Sequence, residues 1–126
     1  MKLNVEIIPC LNDNYSYLLY DKSSDTVAII DPSDFTTCDK IINEKHNKLD
    51  YILNTHHHLD HVGGNEKLKE KYKSKVLGFD LDKDRIPGID VALKEKQNFK
   101  IGNVSFEVIF IPGHTKGHIA FYLKDE

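Results

Sequence analysis

The apolar positions of this chain fall mostly in short runs bounded by turn residues, a pattern that predicts strands more often than helices. "VEIIP" (5–9), "YSYLLY" (15–20) and "TVAIID" (26–31) are strand-like, and "CLNDN" and "DKSSD" between them are rich in turn formers. Residues 34–48 break the pattern. There Phe35, Ile41 and Ile42, with Leu49 just past the end, recur at roughly helical spacing, which predicts a helix. "YILNTH" (51–56) then reads as a buried strand, and "NEKLKEKYKSK" (65–75) as a second helix that turns Leu68 and Tyr72 to the core. "VLGFD" (76–80) is another short strand, and "VALKEKQNFKIGN" (91–103) predicts a charged hairpin at an edge. "VSFEVIFIP" (104–112) alternates, with Val104, Phe106, Val108 and Phe110 on one side, and "IAFYL" (119–123) follows the turn "GHTKGH" as a last strand. Strands punctuated by two helices predict a layered α+β domain.

At 126 residues the chain is sized for a single hydrophobic core, so one domain over residues 1–126 is expected. With 40% hydrophobic and 29% charged residues it has the balance of a soluble globular protein. A net charge of -3 with no basic cluster argues against nucleic acid or an anionic membrane as partner. No apolar run approaches the ~20 residues that would cross a bilayer. The N-terminal "MKLNVEIIPC" has no long apolar core of the kind a signal peptide needs. Cys10 and Cys38 form no CxxC pair, and two reduced thiols in a cytoplasmic protein are expected.

The chemistry of the chain concentrates in "NTHHHLDHVGGN" (54–65). Alternation along a strand projects His56 and His58 together and His57 away. Past the strand end, Asp60 and His61 can face a neighbouring point. Imidazoles with a carboxylate suit zinc, and also iron or manganese, better than calcium. Neither pair completes a tetrahedral set, and a further donor is available in "IPGHTKGH", where His114 follows a strand in a glycine-flanked turn. His46, within "NEKHNKLD", reads as a surface residue. The polar loop "DLDKDRIPGI" (80–89) departs from a calcium loop, with Arg85 at the glycine position and Val91 at that of the terminal glutamate.

"THHHLDH" (55–61) resembles the THxHxDH signature of the metallo-β-lactamase superfamily. Within it, "IPCLNDNYSYLL", "AIIDPSD", "THHHLDHVGGN", "DRIPGID" and "IPGHTKGHIAFYL", in this order, resemble the N-terminal half of the glyoxalase II (hydroxyacylglutathione hydrolase) family. The resemblance implies an αββα sandwich, here essentially its first β-sheet half with flanking helices. It implies that His56, His58 and His114 bind a first metal and Asp60 and His61 a second, with zinc as the metal. Asp31 would steady the histidine loop, although a capped turn at "DPSD" accounts for it equally. His118 would make a hydrogen bond in its packed turn. Asp13, Asn14 and Tyr15 match a loop near the metals, and a simple Asx turn accounts for them as well.

The reaction implied is hydrolysis of S-(2-hydroxyacyl)glutathione, notably the S-D-lactoylglutathione of methylglyoxal detoxification, by metal-bound hydroxide. Asp60 would serve as proton acceptor as well as ligand. A thioester suits such a site because a thiol, with a pKa of about 8.5, departs without full protonation. Two other readings remain: another superfamily enzyme, such as a persulfide dioxygenase or lactonase, or a non-catalytic metal-binding module. The resemblance also implies an aspartate bridging the metals in a Gly-Asp-Thr-like turn, and one more histidine. Neither is present, since Asp125 in "KDE" has no such turn. Residues 1–126 are therefore expected to be an N-terminal portion, without the second half and the C-terminal substrate-binding region. An apolar sheet face left bare would invite self-association or a completing C-terminal chain.

Overall fold

Three central strands are buried on both faces, and this double burial sets the layers of the molecule. The computed structural model describes residues 3–10, 14–55, 62–110 and 119–123. One sheet holds, in spatial order, β1 (Leu3–Cys10), β2 (Asn14–Asp21), β3 (Thr26–Ile30), β4 (Tyr51–Leu53), β5 (Lys75–Phe79) and β6 (Val91–Leu93). β1, β2 and β3 pair antiparallel, and β3 to β6 run parallel. A second, antiparallel sheet holds β7 (Asn98–Ile101), β8 (Val104–Phe110) and β9 (Ile119–Leu123).

The strand pleat divides the core into two layers. Val27, Ile29, Ile52 and Val76 meet Ile42 of α1 (Phe35–Lys45) and Leu68 of α2 (Asn65–Tyr72). The alternate residues Ala28, Leu53 and Leu77 face Ile101, Val104, Phe106 and Val108 of the second sheet. The helix-sheet-sheet order agrees with the expected sandwich. More of the second sheet is present than the sequence reading expects, and it covers most of the inner face that was expected to be bare. Among the described residues, the uncovered remainder is a strip at the β1–β2 end. There Val5, Ile7, Tyr15 and Tyr17 are exposed, in register with one another and with the buried Leu19.

Local chemistry trims the predicted elements. The first helix starts at Phe35 because Asp34 caps it, accepting a hydrogen bond from Thr36 N at 3.1 Å. It stops at Lys45, where the N–H groups of His46 and Asn47 both return to Ile42 O and Asn47 turns left-handed. The predicted hairpin over 91–103 is not one. Val91–Leu93 extends the parallel sheet and Asn98–Ile101 belongs to the other sheet, with the turn at Lys94–Gln97 carrying the chain between them. The polar loop after β5 forms a 3-10 helix over Asp80–Arg85.

Asp21, buried at the end of β2, ties the sheets together. Its carboxylate accepts hydrogen bonds from Ser24 Oγ (2.7 Å), Ser23 Oγ (2.8 Å) and, across to the β7–β8 turn, Asn103 N (2.8 Å). The turn passes so close that a Cβ on Gly102, at φ +61°, would lie 2.1 Å from Ser24 Oγ. The Ser24 hydroxyl first, then Asn103 N–H, lowers the Asp21 pKa from 3.8 to about 2. A carboxylate depressed in the folded state contributes stability above its unfolded pKa and loses it as pH falls through the folded value. Asp21→Asn is therefore expected to destabilise the chain at pH 7, with the gap to the parent closing between about pH 4 and pH 2. Urea unfolding across that range measures it, and a gap independent of pH would contradict the assignment.

Candidate functional site

The expected metal ligands His56, His58, Asp60, His61 and His114 lie outside the described residues, as do His57, His118 and Asp13. The structure describes the strands that flank those positions in the chain. β3, β4 and β5 are parallel, so their carboxyl ends share one edge of the sheet. Cys10 pairs with Asn14 and Tyr17 with Ile30, which brings the β1–β2 connection to that same edge. Phe110 pairs with Ile119, and Ile119 N donates to Thr55 O at 2.8 Å. Cys10, Asn14, Thr55, Phe110 and Ile119, the described residues beside positions 11–13, 56–61 and 111–118, thus lie along the edge where α/β sheets commonly bind ligands.

Asp31 sits at the centre of this edge. Its N–H donates to Leu53 O at 2.8 Å, and its carbonyl accepts from Ser16 Oγ at 2.7 Å. The carboxylate turns to β4 and accepts from Thr55 N at 2.8 Å and Thr55 Oγ1 at 2.6 Å. Thr55 immediately precedes His56, so the carboxylate holds the root of the histidine segment. The cap foreseen at "DPSD" is made by Asp34 instead. The far end docks on the same turn: Gly64 N donates to Pro32 O at 2.8 Å. A Cβ on Gly64 would come within 3.2 Å of that carbonyl, so the close approach favours glycine.

Asn14 opens β2, and Tyr15 is 52% exposed. His46 is half-buried rather than a free surface residue. Its ring lies 4.5 Å from that of Tyr20, and burial lowers its pKa. Cys10 and Cys38 are buried free thiols with sulfurs 3.8 Å apart, and burial pushes Cys38 up to about 12. So high a pKa leaves Cys38 a poor nucleophile. Sequence reasoning assigned no role to Asn54, Thr55, Asn65 or Ser16, whose partners are distant in sequence and meet only on folding.

Comparisons with known proteins agree with this frame. A family model described as the metallo-beta-lactamase superfamily matches residues 12–126. The hydroxyacylglutathione hydrolase of Pelagibacter ubique is 48% identical over 124 residues, covering 98% of this chain and 52% of that protein. That of Methylococcus capsulatus is 44% identical, covering 98% and 48%. The chain spans about half the length of the curated relatives it matches. Two solved structures share its fold. The BLEG-1 B3 metallo-beta-lactamase matches with a TM-score of 0.82 at 22% identity, over 95% of this chain and 67% of that one. ETHE1 from Myxococcus xanthus matches with 0.74 at 24% identity, over 98% and 54%. By its two-sheet sandwich and the match over residues 12–126, the chain belongs to the metallo-beta-lactamase superfamily.

Proposed function

We propose that this chain is the N-terminal, metal-binding portion of a cytoplasmic glutathione-thioester hydrolase acting on S-(2-hydroxyacyl)glutathione, with S-D-lactoylglutathione as its reference substrate. The observation that supports it is the anchoring of Thr55. The residue before His56 is held by the Asp31 carboxylate and by Ile119, which ends the segment bearing His114. Relatives of 38–48% identity named hydroxyacylglutathione hydrolase supply the substrate class.

The donor set fits zinc by its chemistry, being imidazoles joined by one carboxylate. His56, His58 and His114 would hold one ion, and Asp60 and His61 a second. When bound, such metals supply an ionised water as nucleophile and draw charge from the carbonyl oxygen. Asp60 would take up the proton of the attacking water. Asp31 would act through Thr55, keeping the histidine segment in place, and His118 would hold its own turn by a hydrogen bond. The leaving group departs as a thiolate, so no general acid is demanded of the chain. No described helix is long and apolar enough to cross a membrane. The exposed strip of Val5, Ile7, Tyr15 and Tyr17 would receive a completing C-terminal segment or a second copy.

The test joins this chain to the C-terminal half of the Pelagibacter ubique relative and measures S-D-lactoylglutathione hydrolysis with zinc and with a chelator. Chelator-sensitive turnover is expected from the joined protein, and zinc binding from the chain alone. A folded, zinc-loaded joined protein that cleaves no glutathione thioester would refute the reading.

A further inference from the structure

Cys10 is the last residue of β1 and Cys38 lies in the first turn of α1, and the reading above uses neither. They stand 28 positions apart in the chain, yet their sulfurs are 3.8 Å apart. Both side chains are buried, Cys38 completely, in the same apolar cluster as Ile8, Leu18, Ile29 and Ile42. One hydroxyl stands beside the pair. Ser16 Oγ lies 3.5 Å from Cys10 Sγ and accepts from Cys38 Sγ at 3.6 Å. That hydroxyl is satisfied without either thiol, because it donates to Asp31 O at 2.7 Å and accepts from Ser33 N at 3.3 Å. Cys10 Sγ donates to Ile8 O at 3.5 Å.

A thiol in an apolar core is a weak donor and behaves there as a small apolar group. A disulfide has no S–H to satisfy, so it suits the same surroundings, and closing one leaves Ser16 both of its backbone partners. The sulfurs need to approach only from 3.8 Å to the roughly 2 Å of a bond. We propose that Cys10 and Cys38 are a two-electron redox pair, closed by a low-molecular-weight disulfide into a bond that staples the end of β1 to the first turn of α1. One thiolate attacks the reagent R–S–S–R, forming a mixed disulfide and releasing RS⁻. The other displaces the second RS⁻ from that mixed disulfide, closing the bond. The two thiol protons end on two molecules of RSH, so the chain is oxidised by the two electrons that the reagent takes up. Burial keeps the reagent out of the closed fold, and the exchange therefore proceeds slowly, through local opening of β1 from α1. A cross-link over 28 positions removes freedom from the unfolded chain, worth roughly 100-fold in the unfolding equilibrium. The pair needs neither metal nor thioester, so it stands or falls apart from the function proposed above.

The experiment incubates the purified, reduced chain with excess oxidised glutathione in the absence of denaturant. Free thiols are then trapped with a maleimide, and the product is weighed by mass spectrometry. With two cysteines in the chain, an intramolecular bond can join only these two. The expected product has lost two hydrogens, carries no glutathione and takes up no maleimide, and dithiothreitol reverses it. In urea its unfolding equilibrium is expected to favour the folded state by roughly 100-fold over the reduced chain. Cys10→Ala and Cys38→Ala are each expected to end with one free thiol or one glutathione adduct, and with no gain in stability. A gain equal to the parent's in either variant would assign the effect to the reagent and overturn the staple. The parent alone decides if the variants do not fold. Thiols that stay free in the folded parent overturn the pair, as does a product that stops at glutathione adducts or links two chains. A closed form no more stable to urea than the reduced chain overturns the staple as well.

Discussion

Asp31→Ala is expected, on the proposed metal reading, to lower the zinc affinity of the chain by roughly 10–100-fold and to lower hydrolysis by the joined protein at least as far. Two separate losses combine in this result. The carboxylate leaves Thr55 N and Oγ1, which it holds at 2.8 and 2.6 Å, and losing a buried acceptor costs about 1–3 kcal/mol. The backbone also loses a suitable residue. Asp31 has φ +52°, a left-handed conformation that aspartate and asparagine tolerate and that costs alanine about 1–2 kcal/mol. Asp31→Asn separates the two, because it suits the backbone but turns an amide N–H₂ or a single oxygen toward Thr55. Zinc competition and urea unfolding of both variants give the comparison. Zinc affinity near parental in Asp31→Ala would mean that the carboxylate serves only its turn, and the steadying role would be withdrawn.

Leu53→Ala is expected to be the most damaging change to stability, at about 2–5 kcal/mol. Leu53 is fully buried between the sheets, beside Ile30 and Leu77 in the neighbouring strands. Its removal leaves a cavity that strands pinned on both sides cannot collapse to fill. The loss is a large share of the ~5–15 kcal/mol that holds a domain together. It corresponds to roughly 8–20 °C in Tm for a chain of this length. Ile109, 41% exposed on the outer side of β8, supplies the control, with Ile109→Ala expected to cost under ~1 kcal/mol. Equal effects of the two changes on urea unfolding would contradict the packing of sheet on sheet.

Much of this architecture was legible in the amino-acid order because its signals are local. Alternation in "VSFEVIFIP" announced a one-sided strand, and Val104, Phe106 and Val108 are indeed buried. The spacing of Leu68 and Tyr72 announced a helix face, and both pack on the core. A strand was read just before the histidines, and β4 does run over Tyr51–Leu53, while the histidines themselves lie outside the described residues. Other features are relations between distant residues and left no local mark. Lysines and a glutamate hid the change of sheet between Leu93 and Asn98, since charged residues suit any exposed turn. The amide pair of Asn54 and Asn65 joins the end of β4 to the start of α2 and exists only once those two elements are packed together. Aspartates at 31 and 34 look alike in "DPSD", yet one caps a helix and the other turns to Thr55.

The bond between Asp21 and Asn103 spans 82 positions and sets a schedule for the growing chain. At about 5–20 residues per second, the ribosome needs roughly 4–16 s after making Asp21 to reach Asn103. The first three strands and α1 are complete well before then. Until the second sheet is made, Leu19, Ala28 and then Leu53 have nothing of it to lie against, and the Asp21 carboxylate lacks its cross-sheet donor. The nascent chain therefore passes through a stage in which the helix side of its first sheet is sheltered and the other side is open, and that open side is the surface a chaperone would meet.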